Sequence, residues 1–263
     1  MGRVLAISSH VARGHVGLAA TVPALQSLGH EVWALPSVIL ASRPGLGRLV
    51  TYALPAADLA HLLAGLEADG CWAQLDGVFT GYFPSPQSVS AAAAAIGRVR
   101  LAKPGVTVCV DPILGDEGRL YVSADTAAAI RDELLPLATL TTPNLFELAW
   151  LTGGAPVSSK DVPAAARRLA VPTVAVTSAE LTPAEVATVL LTPNGAQRRT
   201  TPRRAAIANG AGDLFAGLLL GRLLTGEAAE DAFANSLDAL DIVLAASEHR
   251  PTLQLAALPT LPL

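Results

Sequence analysis

The stretch at residues 209–224 reads NGAGDLFAGLLLGRLL, a glycine-rich turn that leads directly into an apolar run. The run predicts a helix that begins at about Ala211 and ends at about Leu224. A helix N-terminus presents unpaired N–H groups and about half a positive charge, and glycines let a phosphoryl group approach the backbone. Asp213 adds a carboxylate to that space, where it can accept a proton from a hydroxyl that attacks phosphorus. The alternative is that Asp213 only caps the helix.

Strand-like and helix-like segments alternate along the chain before this turn. Strands are predicted at residues 3–8, 31–38, 76–81, 106–110, up to 142, and 173–177. Helices are predicted at residues 17–28, 85–100, 124–135, 143–153, 162–170, 211–224 and 228–246. No element is assigned between residues 50 and 75. The repeated βαβ order predicts an α/β fold with a mostly parallel central sheet, covered by helices on both faces.

Two segments depart from this alternation. The β-rich runs at residues 186–192 and 196–201 flank Pro193, Asn194 and Gly195, which is typical of a β-hairpin. Residues 41–49 (ASRPGLGRL) are rich in turn residues and predict a loop or flap. No linker or internal repeat separates the segments, so we expect a single domain over residues 1–263.

Composition excludes several functional classes. Only 15% of the residues are charged and the net charge is -4, which argues against a surface for nucleic acid. The N-terminus does not resemble a signal peptide, and Arg222 interrupts the most apolar later segment, so we expect no membrane association and a cytoplasmic location. Cys71 and Cys109 are far apart and predict neither a disulfide nor a zinc site.

Lysine usage excludes two common designs for phosphate transfer. The chain contains two lysines, Lys103 and Lys160, and neither follows a glycine-rich loop. A P-loop requires its GK[ST] lysine and a protein kinase requires a strand lysine. Any phosphoryl transfer by this chain is therefore of another kind.

Polar residues concentrate where the predicted strands end. Ligands of an open parallel sheet bind outside the carboxyl ends of its strands. The residues there are Ser8, Ser9, His10, Gly81, Tyr82, Asp111, Pro112, Thr142, Asn144, Thr177 and Ser178. Ser9 is the stronger candidate of its group, whereas His10 is more typical of a structural histidine. Gly14 and Gly17 either turn the chain or admit a planar ligand, and Tyr82 either contacts that ligand or packs.

Several carboxylates share the same predicted edge. Asp111, Asp116 and Glu117 lie in one loop, and Glu147 lies one helical turn after Asn144. Mg²⁺ prefers oxygen ligands, keeps several waters and bridges carboxylates to substrate phosphates. We therefore predict a Mg²⁺ site at Asp111 and Glu147, acting through water. The alternative is that Asp111 caps a turn and Glu147 complements a helix dipole.

Taken together, these motifs resemble the pyridoxal kinases of the ribokinase-like superfamily. The matching segments run nearly from end to end: SHVARGHVG at 9–17, TGY at 80–82, DPILGDEGRLYV at 111–122, LTTPNLFE at 140–147, VTSAEL at 176–181, GAGDLFAG at 210–217 and RPTLQL at 250–255. The GAGD turn is shared across the superfamily, whereas the first and third of these segments are far more specific to the pyridoxal branch.

The resemblance implies a ribokinase-like three-layer fold and a role for each matching residue. Asp213 would be the base that deprotonates the 5'-hydroxymethyl group of the vitamin, and the turn of Gly210, Ala211 and Gly212 would stabilise the transferring phosphoryl group. The vitamer would be held by Ser9, Gly17, Val38, Arg43, Tyr82 and Asp213. ATP and Mg²⁺ would be held by Asp111, Asp116, Tyr121, Thr142, Asn144, Glu147, Thr177, Ser178, Gly210 and Gly212. The hairpin and the segment up to Ala208 would border the adenine.

The same resemblance implies ATP and Mg²⁺ as requirements, a B6 vitamer as substrate and a homodimer as assembly. A requirement for a monovalent cation, K⁺ or Na⁺, stays open. The chain departs from the family at the flap, where an Asn-His-Thr-Gly-like run is replaced by Ser42, Arg43, Pro44 and Gly45. Ala211 also replaces a common threonine. The alternatives are a kinase of another hydroxymethyl heterocycle, such as hydroxymethylpyrimidine, or a non-catalytic binder of pyridoxal phosphate.

Overall fold

The computed structural model describes residues 1–155 and 157–259. Within them, a nine-stranded sheet has the strand order β11-β10-β9-β8-β5-β4-β1-β2-β3. Its strands are β1 (Arg3–Val11), β2 (Glu31–Leu40), β3 (Thr51–Ala53), β4 (Gly77–Thr80), β5 (Thr107–Val110), β8 (Leu140–Thr141), β9 (Thr173–Leu181), β10 (Glu185–Thr192) and β11 (Gly195–Pro202). A separate two-stranded ribbon consists of β6 (Gly115–Asp116) and β7 (Arg119–Leu120).

The centre of the sheet is parallel and its two margins are antiparallel. Strands β2, β1, β4, β5, β8 and β9 pair in parallel. At one margin, β9, β10 and β11 form antiparallel pairs, and Pro193 and Asn194 form the turn of the predicted hairpin, between paired Thr192 and Gly195. At the other margin, β3 pairs antiparallel with β2. The predicted mostly parallel sheet and the predicted hairpin are confirmed.

The helices are α1 (Leu18–Ser27), α2 (Ala56–Ala68), α3 (Pro86–Ala102), α4 (Ala124–Ala129), α5 (Leu145–Leu151), α6 (Val162–Arg167), α7 (Ala211–Leu224) and α8 (Ala229–Ser247). Local sequence explains several helix starts. Ser85 accepts the amide of Ser88 at 3.2 Å, and Pro86 occupies the first turn of α3, where its missing N–H costs nothing. After α4 the chain continues into a π-helical turn, Ile130–Leu134.

Alternate residues of the central strands bury their side chains on opposite faces of the sheet. In β1, Leu5 and Ile7 join one apolar cluster, whereas Val4 and Ala6 join another. The first cluster includes residues of α2, α3, α4, α5 and α6, and the second includes residues of α1, α7 and α8. Because the side-chain period of a strand is two, this division produces three layers, with helices on both faces.

The structure corrects the prediction in three places: the segment at residues 50–75, the end of β1 and the end of β9. Strand β3 and helix α2 lie in the segment to which no element was assigned. Helix α2 was missed because only Leu59 and Leu63 of its thirteen residues are buried, so its apolar stripe is narrow. Strand β1 extends to Val11 and β9 extends to Leu181, beyond their predicted ends at residues 8 and 177. Ser9, His10, Thr177 and Ser178 therefore lie within strands.

Across residues 1–155 and 157–259, none of the helices combines the length and the hydropathy that a membrane span requires.

Candidate active site

The glycine turn begins α7, as predicted. Gly210 is the N-cap residue, with a φ of 113°, a backbone conformation that residues other than glycine rarely adopt. A Cβ atom at this position would collide with the carbonyl oxygen of His15. Asp213 is the third helical residue, and no side chain caps the helix. The alternative that Asp213 is the N-cap residue is therefore wrong.

The Asp213 carboxylate is buried, and one of its two oxygens lacks a hydrogen-bond partner within the described residues. This oxygen is Oδ1. Burial raises the pKa of Asp213 to about 6, and the backbone amide of Gly17 limits the rise by donating to the carboxylate. The hydroxyl of Thr21 donates to the backbone carbonyl of Asp213 at 3.2 Å. A carboxylate of this kind is ionised at neutral pH and available to accept a proton.

Asp111 lies at the end of β5, and its side chain is buried. The hydroxyl of Thr142 donates to its Oδ1 atom at 2.9 Å. Burial raises the pKa of Asp111 well above its ordinary value, and repulsion from Asp213 and then Glu147 adds to the rise. The structure thus brings together three of the carboxylates that the sequence analysis selected.

Glu147 forms a reciprocal capping box with Asn144 at the start of α5. The Asn144 side chain accepts the amide of Glu147 at 2.8 Å, and Oε2 of Glu147 accepts the amide of Asn144 at 2.9 Å. The Oε1 atom accepts the amides of Leu114 at 2.7 Å and Gly115 at 3.4 Å. Burial raises the pKa of Glu147 to about 7. The direct contacts of Glu147 are therefore those of the alternative interpretation, in which this carboxylate stabilises the start of a helix.

Asp111 is better suited than Glu147 to contact a divalent cation. Asp111 is buried and repelled by two carboxylates, so a cation beside it would relieve a real electrostatic cost. The Glu147 carboxylate already accepts three backbone amides, so it is less available to a cation than Asp111, and a contact through water suits it. Within residues 1–155 and 157–259, no three His, Cys, Asp or Glu side chains form a metal-binding group by themselves. A cation here would need oxygens from a phosphate or water.

A cavity of about 300 Å³ opens between the hairpin and the start of α7. Its lining residues come from β9, β10, β11, the following loop, α7 and α8: Thr177, Ser178, Val186, Thr188, Thr201, Pro202, Arg203, Arg204, Ile207, Ala211, Gly212, Phe215, Leu237, Leu240 and Leu244. The apolar wall suits a planar base, and the glycine turn at one end suits phosphates. Arg204 is held by both carboxylate oxygens of Asp241, at 2.7 and 2.8 Å.

Asp116 and Tyr121 belong to the β6–β7 ribbon and its exit, beside the carboxylates. Asp116 accepts the amide of Glu117 at 2.8 Å, and Tyr121 is 52% exposed. The Asn144 side chain donates to the carbonyl of Gly115 at 2.8 Å, so the capping residue of α5 also holds this ribbon. A loop tied at its base and exposed at its tip is suited to cover a bound ligand.

The other predicted ring-binding residues gather between β1, β2 and β4. Val38 is buried, and Tyr82 packs against an apolar cluster that contains it. A Cβ atom on Gly17 would collide with Ser9, so Gly17 permits a close approach of the chain to β1. Ser9, Gly17, Val38 and Tyr82 therefore occupy one region, and their role in holding a ring stays a prediction.

Two serines support this region, and the sequence analysis missed the role of both. The amide of Tyr82 donates to Oγ of Ser8 at 3.1 Å, and Oγ of Ser37 donates to the carbonyl of Tyr82 at 2.6 Å. Both serines are fully buried. The available signal was a serine inside each otherwise apolar strand run, at Ser8 in β1 and Ser37 in β2, since buried hydroxyls need partners.

Arg43 lies in the flap, and its guanidinium contacts backbone carbonyls. Its Nε and Nη2 atoms donate to the carbonyl of Pro251 at 3.2 and 2.6 Å, and Nη1 donates to the carbonyl of Pro44 at 2.9 Å. The flap is thereby connected to the segment that follows α8.

Comparison with known proteins identifies relatives over most of the chain. Residues 74–259 match the model of the family described as phosphomethylpyrimidine kinase. The chain is 37% identical over 254 residues to the pyridoxal kinase PdxY of Deinococcus radiodurans, covering 92% of this chain and 85% of that protein. It is 36% identical over 249 residues to the pyridoxal kinase PdxY of Rubrobacter xylanophilus, covering 92% and 86%.

Solved structures lead to the same conclusion. The pyridoxal kinase of Leishmania donovani in complex with ADP and pyridoxamine superposes with a TM-score of 0.89 at 26% identity, covering 98% of this chain and 95% of that one. The pyridoxal kinase of Entamoeba histolytica superposes with a TM-score of 0.90 at 25% identity, covering 97% and 93%. The ribokinase-like expectation is confirmed, and the chain belongs to the pyridoxal kinase family.

Proposed function

We propose that this protein transfers the γ-phosphoryl group of ATP to the 5'-hydroxymethyl group of pyridoxal, and of pyridoxine and pyridoxamine, giving pyridoxal 5'-phosphate from pyridoxal in vitamin B6 salvage. The observation that carries the proposal is the buried Asp213 carboxylate, whose Oδ1 atom has no partner within the described residues, directly after the glycine turn. A pure binder of phosphate gains nothing from a carboxylate there, because the two negative charges repel.

In this mechanism Asp213 accepts the proton of the 5'-hydroxyl group while the oxygen of that hydroxyl attacks the γ-phosphorus. The new O–P bond forms as the bond between the γ-phosphorus and the β,γ-bridging oxygen breaks, and ADP leaves with that electron pair. The backbone amides of Ala211 and Gly212 at the start of α7 stabilise the negative charge on the transferring group. Catalysis consists of positioning and electrostatics, since both reactants are held on one sheet edge.

The nucleotide is assigned to the cavity beside the hairpin. Thr177 and Ser178 line that cavity together with Gly212, so base and phosphates can follow one continuous surface toward Asp213. The ring of the vitamer is assigned to the region of Ser9, Val38 and Tyr82, on the β1 side of the turn. Asp213 then stands between the two reactants.

Mg²⁺ is assigned to Asp111 directly and to Glu147 through water. When bound there, the ion would neutralise phosphate charge and offset the repulsion that raises the pKa of Asp111. Asp116, Tyr121, Thr142 and Asn144 are assigned to the phosphate and metal side of the site. A requirement for K⁺ or Na⁺ is a separate question that omission of each ion from the assay answers.

The experiment that tests the function is Mg²⁺-dependent ADP formation with pyridoxal, pyridoxine, pyridoxamine and hydroxymethylpyrimidine, comparing wild type with Asp213→Asn. We expect turnover of a B6 vitamer and a loss of about 10²-fold or more in kcat in the variant, with little change in KM for ATP. Asp125→Asn, which removes an exposed carboxylate on α4, serves as the matched control.

Two other outcomes would overturn parts of the proposal. Turnover of hydroxymethylpyrimidine alone would move the substrate to the compound class named by the matching family model. Tight binding of pyridoxal phosphate without any turnover would indicate a binder.

Assembly and location complete the proposal. We assign the protein to the cytoplasm as a homodimer, on the strength of the family resemblance and of two free cysteines, Cys71 and Cys109. Analytical ultracentrifugation tests the dimer, and a mass of one chain at micromolar concentration would contradict it.

A further inference from the structure

The flap residue Arg43 stands where three separate parts of the chain meet. Its guanidinium donates to Pro251, in the segment that follows α8. Its backbone amide donates to the carbonyl of Arg13 at 3.0 Å, and its side-chain stem lies against Gly14, where a Cβ atom would be 3.0 Å from Cγ of Arg43. One side chain thus joins the flap to the loop after β1 and to the C-terminal segment.

Both of these neighbours contact the glycine turn. Two residues after Pro251, Leu253 is fully buried, and its Cδ1 atom lies 3.2 Å from the position of a Cβ on Gly210. One residue after Gly14, the carbonyl of His15 packs directly on Gly210. Two residues further on, the amide of Gly17 donates to Asp213. Two independent routes therefore run from Arg43 to the turn that carries the base.

The C-terminal segment is firmly attached at its other end. The amide of Gln254 donates to Oγ of Ser247 at 2.8 Å, and that hydroxyl donates back to the carbonyl of Val243 within α8. A carbonyl in a segment held this way is a fixed anchor for a guanidinium. Lysine at position 43 would supply a flexible point charge instead of a planar donor pair.

Resting on the proposed kinase function, we propose that Arg43 is a positioning residue that holds the flap against the Pro251–Leu253 segment and thereby sets the affinity for the B6 vitamer. Its guanidinium acts on the backbone, not on the pyridine ring. The hydrogen bonds to Pro251 keep the flap beside the loop that carries Gly14 and Gly17, so the vitamer site stays closed while Asp213 is in position.

Kinetics of Arg43→Met provide the first test. Loss of the anchor lowers the fraction of molecules with a closed flap, and apparent affinity falls in proportion to that fraction. We expect KM for pyridoxal to rise about tenfold, with KM for ATP changed less than about twofold, as a closed fraction reduced to about a tenth implies. Arg43→Lys should recover part of the loss. Arg48→Met, an exposed arginine in the same flap, is the matched control.

Limited proteolysis provides a readout that does not depend on activity. Trypsin cleaves after exposed Arg48 in the flap and after exposed Arg119 in the β6–β7 ribbon, whereas Pro44 protects the bond after Arg43. We expect Arg43→Met to accelerate cleavage after Arg48 severalfold while cleavage after Arg119 keeps its wild-type rate.

The outcomes separate this proposal from the proposed function. Wild-type turnover with an Arg43→Met variant that has unchanged KM values and an unchanged cleavage rate would overturn the role of Arg43 alone. A rise in KM that Arg43→Lys fully restores would indicate that charge, not the planar contact, is what matters, and would also overturn it. Absence of turnover in the wild type would overturn the kinase function.

Discussion

The carbonyl of His15 and the α-carbon of Gly210 are in direct contact, although 195 residues separate them in sequence. The contact joins the loop after β1 to the turn that begins α7, the two segments that flank the proposed base. Glycine is required at position 210 both for its φ of 113° and for this approach. Gly212 has neither constraint, since a Cβ there would meet no atom within 4 Å.

This difference predicts opposite effects of two alanine substitutions. Gly210→Ala should lower the free energy of unfolding by at least about 1–3 kcal/mol through backbone strain, before the clash is counted. Gly212→Ala should leave stability unchanged or slightly higher, because alanine favours a helix. Its kcat should nevertheless fall if the phosphoryl group approaches this amide. Thermal denaturation and ADP formation measure the two effects, and a stable Gly210→Ala protein would contradict the role of the turn.

The pKa of Asp213 predicts an acid limb in the pH profile. The base must be ionised, and burial raises its pKa to about 6. We expect kcat/KM for pyridoxal to be constant above that value and to fall about tenfold per pH unit below it. Residual turnover of Asp213→Asn should lack this limb. A wild-type profile that stays flat to pH 5 would assign the proton transfer to another group.

The buried Asp111 carboxylate is expected to lower the stability of the folded protein at high pH. Its raised folded-state pKa means that the folded protein keeps a proton that the unfolded chain releases above about pH 4. The contribution of protonated Asp111 to the free energy of unfolding is therefore fully present below that pH, and it declines as the pH rises toward the folded-state pKa. In EDTA, Asp111→Asn should raise Tm by a few degrees at pH 8, about 2–4 °C per kcal/mol, and by less at pH 5.

The Asp111→Asn variant also tests Mg²⁺ binding at Asp111 without an activity assay. Mg²⁺ should raise the Tm of the wild type more than that of Asp111→Asn, because binding to the folded state stabilises it. Asp125→Asn should respond as the wild type does. Equal Mg²⁺ responses in wild type and Asp111→Asn would remove Asp111 from the proposed metal site.

Ser37 predicts an effect on the vitamer side alone. Ser37→Ala removes the hydroxyl that donates to the carbonyl of Tyr82 at 2.6 Å, leaving a partly buried acceptor without this donor. We expect KM for pyridoxal to rise severalfold, as a loss of about 1 kcal/mol implies, with KM for ATP unchanged. Ser90→Ala on α3, where the hydroxyl contacts only its own helix at Pro86, is the control. Parallel changes in both KM values would point to general destabilisation.

The sequence predicted the layers of the fold because the buried strands and the longer helices carry clear patterns. It failed at α2, whose buried stripe is narrow, and at β3, whose three residues are all exposed. Both elements are largely exposed, and solvent exposure weakens the hydrophobic period that reveals a helix or strand. Strand ends were misplaced by three or four residues at β1 and β9.

The candidate site was predictable where chemistry follows from residue type and position along the sheet edge. Asp111, Glu147 and Asp213 were selected on that basis, and the structure brings them into electrostatic contact. Contacts between distant backbone groups were not predictable. The approach of His15 to Gly210 and the bonds from Arg43 to Pro251 involve carbonyls, which every residue carries and no pattern marks.

The contact of Leu253 with Gly210 also bears on the order in which a newly made chain acquires its structure. During synthesis on the ribosome, the nine strands of the main sheet emerge before residue 210, whereas the glycine turn can meet Leu253 only when residue 253 has left the tunnel. Contacts of such high sequence separation form late in folding. A nascent chain can therefore form its sheet and its long helices before the contact between Leu253 and the glycine turn exists.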